Sequence, residues 1–332
     1  MAFPDIVYYE PGALEFELGK MLREKYSLVP WVEIENHNNI PELRSNSNSA
    51  FPQMKRHLVV GVRKSHKYSE NHKVSDYLVP YTSSGCIASC LYCYLVCTYN
   101  KCAYLRLFVN REQMMRKILE TQRKSDRPLC FEIGSNSDLV LENMITGNLI
   151  WTIERFAESE KGSLTFPTKF HMVESLLTLR HCGKVIFRMS VNPQEIIRTI
   201  ELGTSPLDKR IDALNSMCEA GYPVGLLIAP VVIVENWKKL YSELIEILAE
   251  KLSPKVKSGS FIEIIFMTYS YVQNAINSEA YPNASPLFSR ELMTGRGRGK
   301  YCYKDSLRKD GEEFLRRELA LKLPNMKILY VV

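Results

Sequence analysis

From about residue 57 to residue 269 of this 332-residue chain, short apolar runs alternate with helical patterns, and that alternation constrains the fold more than any other feature. The runs at 57–62, 78–82, 129–134, 163–168, 185–191, 223–229 and 261–266 have the length and side-chain types of strands. Between them, Ile211, Leu214 and Cys218 recur at helical spacing, as do Leu240, Leu244, Ile247 and Leu248. Strands separated by helices pair in parallel, because each helix carries the chain back over the sheet. The expected fold is α/β, with repeated βα units from about Leu78 to about Tyr269 forming a full or partial barrel.

The flanks read differently. Residues 36–53 are rich in Asn, Ser, Pro and charge without an apolar period, which predicts a loop inside an N-terminal appendage, free of chemistry. Residues 284–303 break the βα pattern with Pro, Gly and basic side chains and predict a hairpin. An amphipathic helix over 312–323 and a short strand over 328–332 close the chain. The division expected is 1–77 appendage, 78–270 barrel and 271–332 hairpin with closing helix and strand.

Hydrophobic residues at 45% and charged residues at 24% fit a globular domain. No apolar run approaches the roughly 20 residues that span a bilayer, and the first ten lack a secretory layout, so the cytoplasm is the expected compartment and no membrane is a partner. The formal charge of +6, 43 basic against 37 acidic, is compatible with a polyanionic partner without requiring one. Its distribution is more informative: Arg296, Arg298, Lys300, Lys304, Arg308 and Lys309 lie together, interleaved with Tyr301 and Tyr303.

Nine cysteines in a reducing compartment read as metal ligands or buried thiols rather than a disulfide framework. Cys86-Ile-Ala-Ser-Cys90-Leu-Tyr-Cys93 follows a predicted strand in a turn opened by Ser83, Ser84 and Gly85. Three thiolates on a short loop can hold three irons of a 4Fe-4S cubane and leave the fourth iron open to a chelating cosubstrate, S-adenosylmethionine. A structural zinc with Cys97 or Cys102 as fourth ligand and a fully ligated electron-transfer cluster are the alternatives.

These residues resemble the spore photoproduct lyase family of radical S-adenosylmethionine DNA-repair enzymes. The resemblance runs from about Val7 to the C-terminus, through Leu58-Val-Val-Gly-Val-Arg63, the cysteine loop with Tyr92 and Tyr94, Arg106, Val109-Asn110, Phe131-Glu132, Thr168-Lys169-Phe170-His171, Gly203-Thr-Ser-Pro-Leu-Asp-Lys-Arg-Ile211 and Ala220-Gly-Tyr-Pro223. It implies a partial (β/α)6 barrel of TIM type with its site at the carboxyl ends of the strands. By position it implies that Tyr94, Ser137, Lys169, Ser190 and the backbone of Ala229 contact S-adenosylmethionine. It further implies hydrogen abstraction from C6 of a methylene-bridged thymine dimer, a return of hydrogen from a cysteine through relay tyrosines matching Tyr92 and Tyr94, and DNA and a flavodoxin- or ferredoxin-type reductant as partners.

Two departures stand out. The family's donor cysteine maps onto Ser135, whose O–H bond is too strong for ready transfer to carbon, whereas thiol sulfur suits one-electron chemistry. Cys97, four residues beyond Cys93, is the expected substitute. Cys130 is expected in the core, since five strand residues put it roughly 16 Å from Ser135. The second departure lies in the hairpin: where the family has an Arg-Tyr pair that enters the DNA, this chain has Gly295-Arg296. Arg296, Arg298, Lys300 and Tyr301 are the expected nucleic-acid contacts, a solvated basic loop being the alternative. A relative with a different substrate and a non-catalytic, metal-containing nucleic-acid-binding protein are the competing functions.

Overall fold

Eight strands form one sheet in the order Lys327–Val331, Phe261–Phe266, Val224–Val231, Val185–Val191, Ser163–Thr168, Cys130–Glu132, Tyr77–Leu78, Ser69–Glu70. All but the last pair run parallel, so the expected βα alternation is realised as a curled sheet, a partial barrel. The computed structural model describes residues 3–98 and 104–332, with the side chains of 97 and 98 outside that description. Three strands have the expected bounds. The run at 78–82 contributes only Tyr77–Leu78 to this sheet, because Pro80 has no N–H to extend the ladder and the chain then crosses to other partners.

Those partners form a second sheet, ordered Trp31–Glu33, Ile6–Tyr9, His57–Gly61, Leu105–Phe108, Ser83–Ser84. The run at 57–62 therefore belongs here and not to the barrel. Leu105–Phe108, a strand absent from the sequence reading, joins it in parallel, and Ser83–Ser84 closes it antiparallel just before the cysteine loop.

Residues 36–53 are not a plain loop. They contain the helical turns Pro41–Arg44, Asn48–Ala50 and Phe51–Met54, and bury Ile40, Leu43, Phe51 and Met54 against Leu95 and Val96 beyond the cysteines. Turns this short cannot show a helical period, which is why the sequence hid them. At the other end, the helix expected over 312–323 begins earlier, at Asp305, and runs to Lys322. Its Gly311 admits the Phe266 ring, since a Cβ there would lie 2.8 Å from that ring. The hairpin pairs Met293–Gly297 with Lys300–Tyr303, and Thr268–Ser270 adds a third strand. Among the described residues no helix is long and apolar enough to cross a membrane.

Polar groups fix both sheets. Inside the barrel Arg188 bridges Glu132 at 2.7 Å and Glu263 at 2.9 Å, so Glu132 serves the barrel interior. In the second sheet the buried Glu10 carboxylate pairs with His37 Nδ1 at 2.9 Å and accepts from the Val62 and His37 amides at 2.8 and 3.1 Å. Burial alone would raise its pKa, but the hydrogen bonds from His37 and Val62 hold it down to about 2, against an ordinary 4.5. A carboxylate depressed by folding stabilises the fold above its unfolded pKa, and that stability is lost as pH falls toward the folded value. The separation corresponds to at most ~3 kcal/mol. Glu10→Gln should therefore lose most of that stability at pH 7, and its deficit in urea denaturation should shrink between pH 4.5 and pH 3; an equal deficit at both ends would refute the assignment.

Candidate active site

The cysteine loop leaves Ser83–Ser84 through Gly85, whose φ of +78° suits glycine, and Cys90 is anchored where Ser89–Cys90 pairs antiparallel with Glu201–Leu202. Cys86, Cys90 and Cys93 line a single cavity of about 320 Å³. Its other walls are the carboxyl ends of the barrel strands: Gly134, Ser135, Ser137 and Asp138, Thr168 and Lys169, Ser190, Ala229, and Phe266. Beneath the loop the buried Lys55 donates to the Cys86 carbonyl at 2.7 Å, tying the loop to the N-terminal region.

Burial pushes the Cys86 thiol up to about 12, Lys55 opposing and Asp138 adding to the effect. It raises the Cys90 thiol as well, with Glu201 reinforcing burial. Such thiols stay protonated until a cation replaces the proton, because metal binding and thiolate formation are linked. Three sulfurs facing one cavity therefore fit an iron-sulfur cluster held by Cys86, Cys90 and Cys93. The thiols of Cys97 and Cys102, the fourth ligands of the zinc alternative, lie outside the described residues; Cys97 itself falls in the turn Leu95–Thr98.

In the same cavity, Lys169 just beyond Ser163–Thr168 gathers the polar groups. Its ammonium donates to Ser190 Oγ at 2.6 Å and the Ala229 carbonyl at 2.7 Å, and pairs with Glu201 at 2.9 Å, 5.6 Å from the centre of the Tyr92 ring. Three of the five residues expected to contact the cosubstrate are thus in direct contact with one another. Ser137 lines the same cavity and meets Ser83 Oγ at 2.6 Å. Tyr94 lines it too, half-exposed, its hydroxyl donating to the Ser135 carbonyl, while the buried Tyr92 donates to Glu201.

Sequence reasoning missed Glu201. This fully buried carboxylate also accepts from Arg210 at 2.6 Å and Asn192 at 2.8 Å. Burial would raise its pKa, but Lys169 and then Arg210 hold it at about 2. Asp138 caps the helix Leu139–Thr146 through the Leu141 amide and accepts from Thr168 Oγ1 and the Lys169 amide, at 3.2, 2.8 and 3.0 Å. His171 Nδ1 meets Ser205 Oγ at 2.7 Å and does not line the cavity.

The hairpin residues form no part of this cavity. Arg296, Arg298 and Lys300 are exposed, whereas Tyr301 is half-buried with its ring 4.6 Å from that of Phe288. Arg296 instead borders a smaller cavity of about 180 Å³, which shares Phe266, Met267 and Thr268 with the main one. Cys130 is half-buried rather than in the core, its amide donating to Asp76.

Three cysteines and a lysine-centred polar cluster lining one cavity at the carboxyl edge of a partial barrel define a radical S-adenosylmethionine enzyme. The family model described as spore photoproduct lyase matches residues 2–332. Spore photoproduct lyase of Bacillus subtilis (strain 168) is 34% identical over 98% of both chains, and that of Geobacillus sp. (strain Y412MC61) 31% identical over the same shares. Among solved structures, a spore photoproduct lyase complexed with dinucleoside spore photoproduct superposes with a TM-score of 0.91 over 99% of both chains at 30% identity. A double mutant with bound AdoMet and the dinucleoside gives 0.92 over 100% of both. The chain belongs to the spore photoproduct lyase family.

Proposed function

We propose that this protein converts the methylene-bridged thymine dimer of DNA, spore photoproduct, back to two thymines. The observation that carries this reading is the single cavity lined by Cys86, Cys90 and Cys93 together with the Lys169, Ser190 and Ala229 cluster. Cys86, Cys90 and Cys93 would hold the cluster, which, given one electron from a reductant, would supply with S-adenosylmethionine a radical able to take hydrogen from C6 of the lesion.

The chain's own residues set the stage for that chemistry. The Lys169 ammonium and Ser190 hydroxyl suit the carboxylate of an amino-acid cosubstrate, the Ala229 carbonyl suits its ammonium group, and Ser137 and Tyr94 offer hydroxyls from the facing wall. Glu201 holds Lys169 and Tyr92 in place by accepting from both. The apolar side of the cavity, including Phe170, Leu227 and Phe266, excludes water that would quench a radical. Arg296, Arg298 and Lys300 supply phosphate contacts on the exposed hairpin, with Tyr301 beside them, and a flavodoxin or ferredoxin supplies the electron.

Hydrogen return is assigned to Cys97, since Ser135 holds the family's donor position and cannot serve. Tyr92 and Tyr94 then relay the radical. Cys97→Ala is expected to keep forming 5′-deoxyadenosine but to lose clean thymine to by-products, because no thiol would then return hydrogen to the substrate radical; unaltered clean repair would remove Cys97 from the reaction.

The function itself is tested by anaerobic reconstitution with iron and sulfide followed by incubation with the lesion dinucleotide and a reductant. Clean conversion to two thymines is expected. Because Ser135 replaces a cysteine, a relative with another substrate is the second reading, and 5′-deoxyadenosine formed without thymine would favour it. Bound zinc with no spectroscopic response to S-adenosylmethionine would exclude turnover.

A further inference from the structure

Among the described residues two tyrosines stand largely exposed, Tyr94 at 54% and Tyr271 at 62%. Tyr94 belongs to the cavity. Tyr271 belongs to nothing so far assigned. It opens the helix Tyr271–Ala280 immediately after the strand Thr268–Ser270, and its amide donates to the Gly299 carbonyl at the hairpin tip, 3.1 Å away.

Its ring is fixed against that tip. A Cβ on Gly299 would lie 2.2 Å from Tyr271 Cδ1, and Gly299 has a φ of +68°, so glycine is required there for both backbone and ring. On its other side the same helix is tied to the cysteine loop: Gln273 donates to the Tyr92 carbonyl at 2.5 Å and Asn277 to the Leu91 carbonyl at 2.7 Å. Three residues before the ring, Thr268 lines the main cavity. Tyr271 therefore stands against the hairpin tip, on a helix tied to the cysteine loop and following a strand that reaches the main cavity.

The surroundings are cationic. Arg296, Arg298 and Lys300 are exposed, and among the described residues none of them forms an ion pair. The exposed hairpin tip, Gly295 to Lys300, carries no aromatic side chain, and the Tyr301 ring is packed on Phe288. An exposed planar ring beside unneutralised cations matches the repeating unit of a nucleic-acid strand, a base with a π-face and a phosphate.

We propose that Tyr271 supplies the aromatic platform that the hairpin lacks, stacking on a nucleobase next to the lesion while Arg296, Arg298 and Lys300 hold the flanking phosphates. This rests on the repair reading above for the identity of the DNA. The backbone bond to Gly299 and the packing of the ring reduce the freedom lost on stacking, so contact there yields affinity efficiently.

The test is equilibrium binding to a fluorescent duplex with and without the lesion, using wild type, Tyr271→Ala, Tyr271→Phe and Arg298→Ala at several salt concentrations. Tyr271→Ala should weaken lesion-duplex binding about tenfold, ~1.4 kcal/mol, with its salt dependence unchanged, and Tyr271→Phe should bind as wild type. Arg298→Ala should instead lower the salt slope by about one phosphate's worth, ~0.9. Binding by Tyr271→Ala within twofold of wild type, or a change in salt slope like that of Arg298→Ala, would overturn the platform. The wild-type assay on the lesion dinucleotide separates the two claims. Thymine formation with undiminished Tyr271→Ala binding sinks the platform alone, while no thymine formation with diminished binding sinks repair and leaves the platform standing.

Discussion

Anaerobic reconstitution of Cys90→Ala should yield an iron-poor, colourless protein whose formation of 5′-deoxyadenosine falls more than ~100-fold, since even outer-shell changes around a metal cost 10–100-fold. Cys90 shares the main cavity with the other two thiols and is held by its strand pairing to Glu201. Alanine leaves two sulfurs for a cluster that needs three. Burial and Glu201 raise the Cys90 thiol, so its thiolate forms only with a cation to stabilise it. Cys218→Ala is the control: that thiol is buried against the barrel core and does not line the cavity. It should cost ~1 kcal/mol of stability through lost packing and leave iron content unchanged. A Cys90→Ala protein that still reconstitutes to a brown colour and responds to S-adenosylmethionine would break the ligand assignment.

What could be read from the sequence depended on whether a feature was local. The strands Ser163–Thr168, Val185–Val191 and Phe261–Phe266 were legible because a strand covered on both faces is a nearly continuous apolar run. Leu105–Phe108 was not. It is four residues long, includes the buried Arg106, and takes its meaning from His57–Gly61 and Ser83–Ser84, which lie elsewhere in the chain. The three cysteines were legible from spacing, and Lys169, Ser190 and Ala229 from resemblance together with their places at strand ends. Glu201 carried no signal of either kind. It acquires its role because Tyr92, Lys169, Asn192 and Arg210 come from four separate segments and converge on one carboxylate. Tyr271 was silent for the same reason, its perch being made by Gly299 from another strand.

The buried carboxylate gives the second large effect: Glu201→Gln should destabilise the fold by about 3 kcal/mol, the lower end for breaking a buried ion pair by removing one partner. Two cations, Lys169 at 2.9 Å and Arg210 at 2.6 Å, share this one anion, and a neutral amide leaves both without their counter-charge. Each keeps other acceptors, Lys169 the Ser190 hydroxyl and Ala229 carbonyl, Arg210 the Ser205 and Ser190 carbonyls, which is why the loss stays near the lower end. If uncompensated charge is the cause, removing a cation as well should return part of the loss. The Glu201→Gln, Arg210→Met pair should therefore be less destabilised than the sum of its single changes by ~1–3 kcal/mol in a double-mutant cycle. Urea midpoints of the four proteins measure this, and strict additivity would mean that the carboxylate acts only by filling space. The single change should also weaken S-adenosylmethionine binding, because Lys169 and Tyr92, neighbours in the cavity, are both steered by this one group.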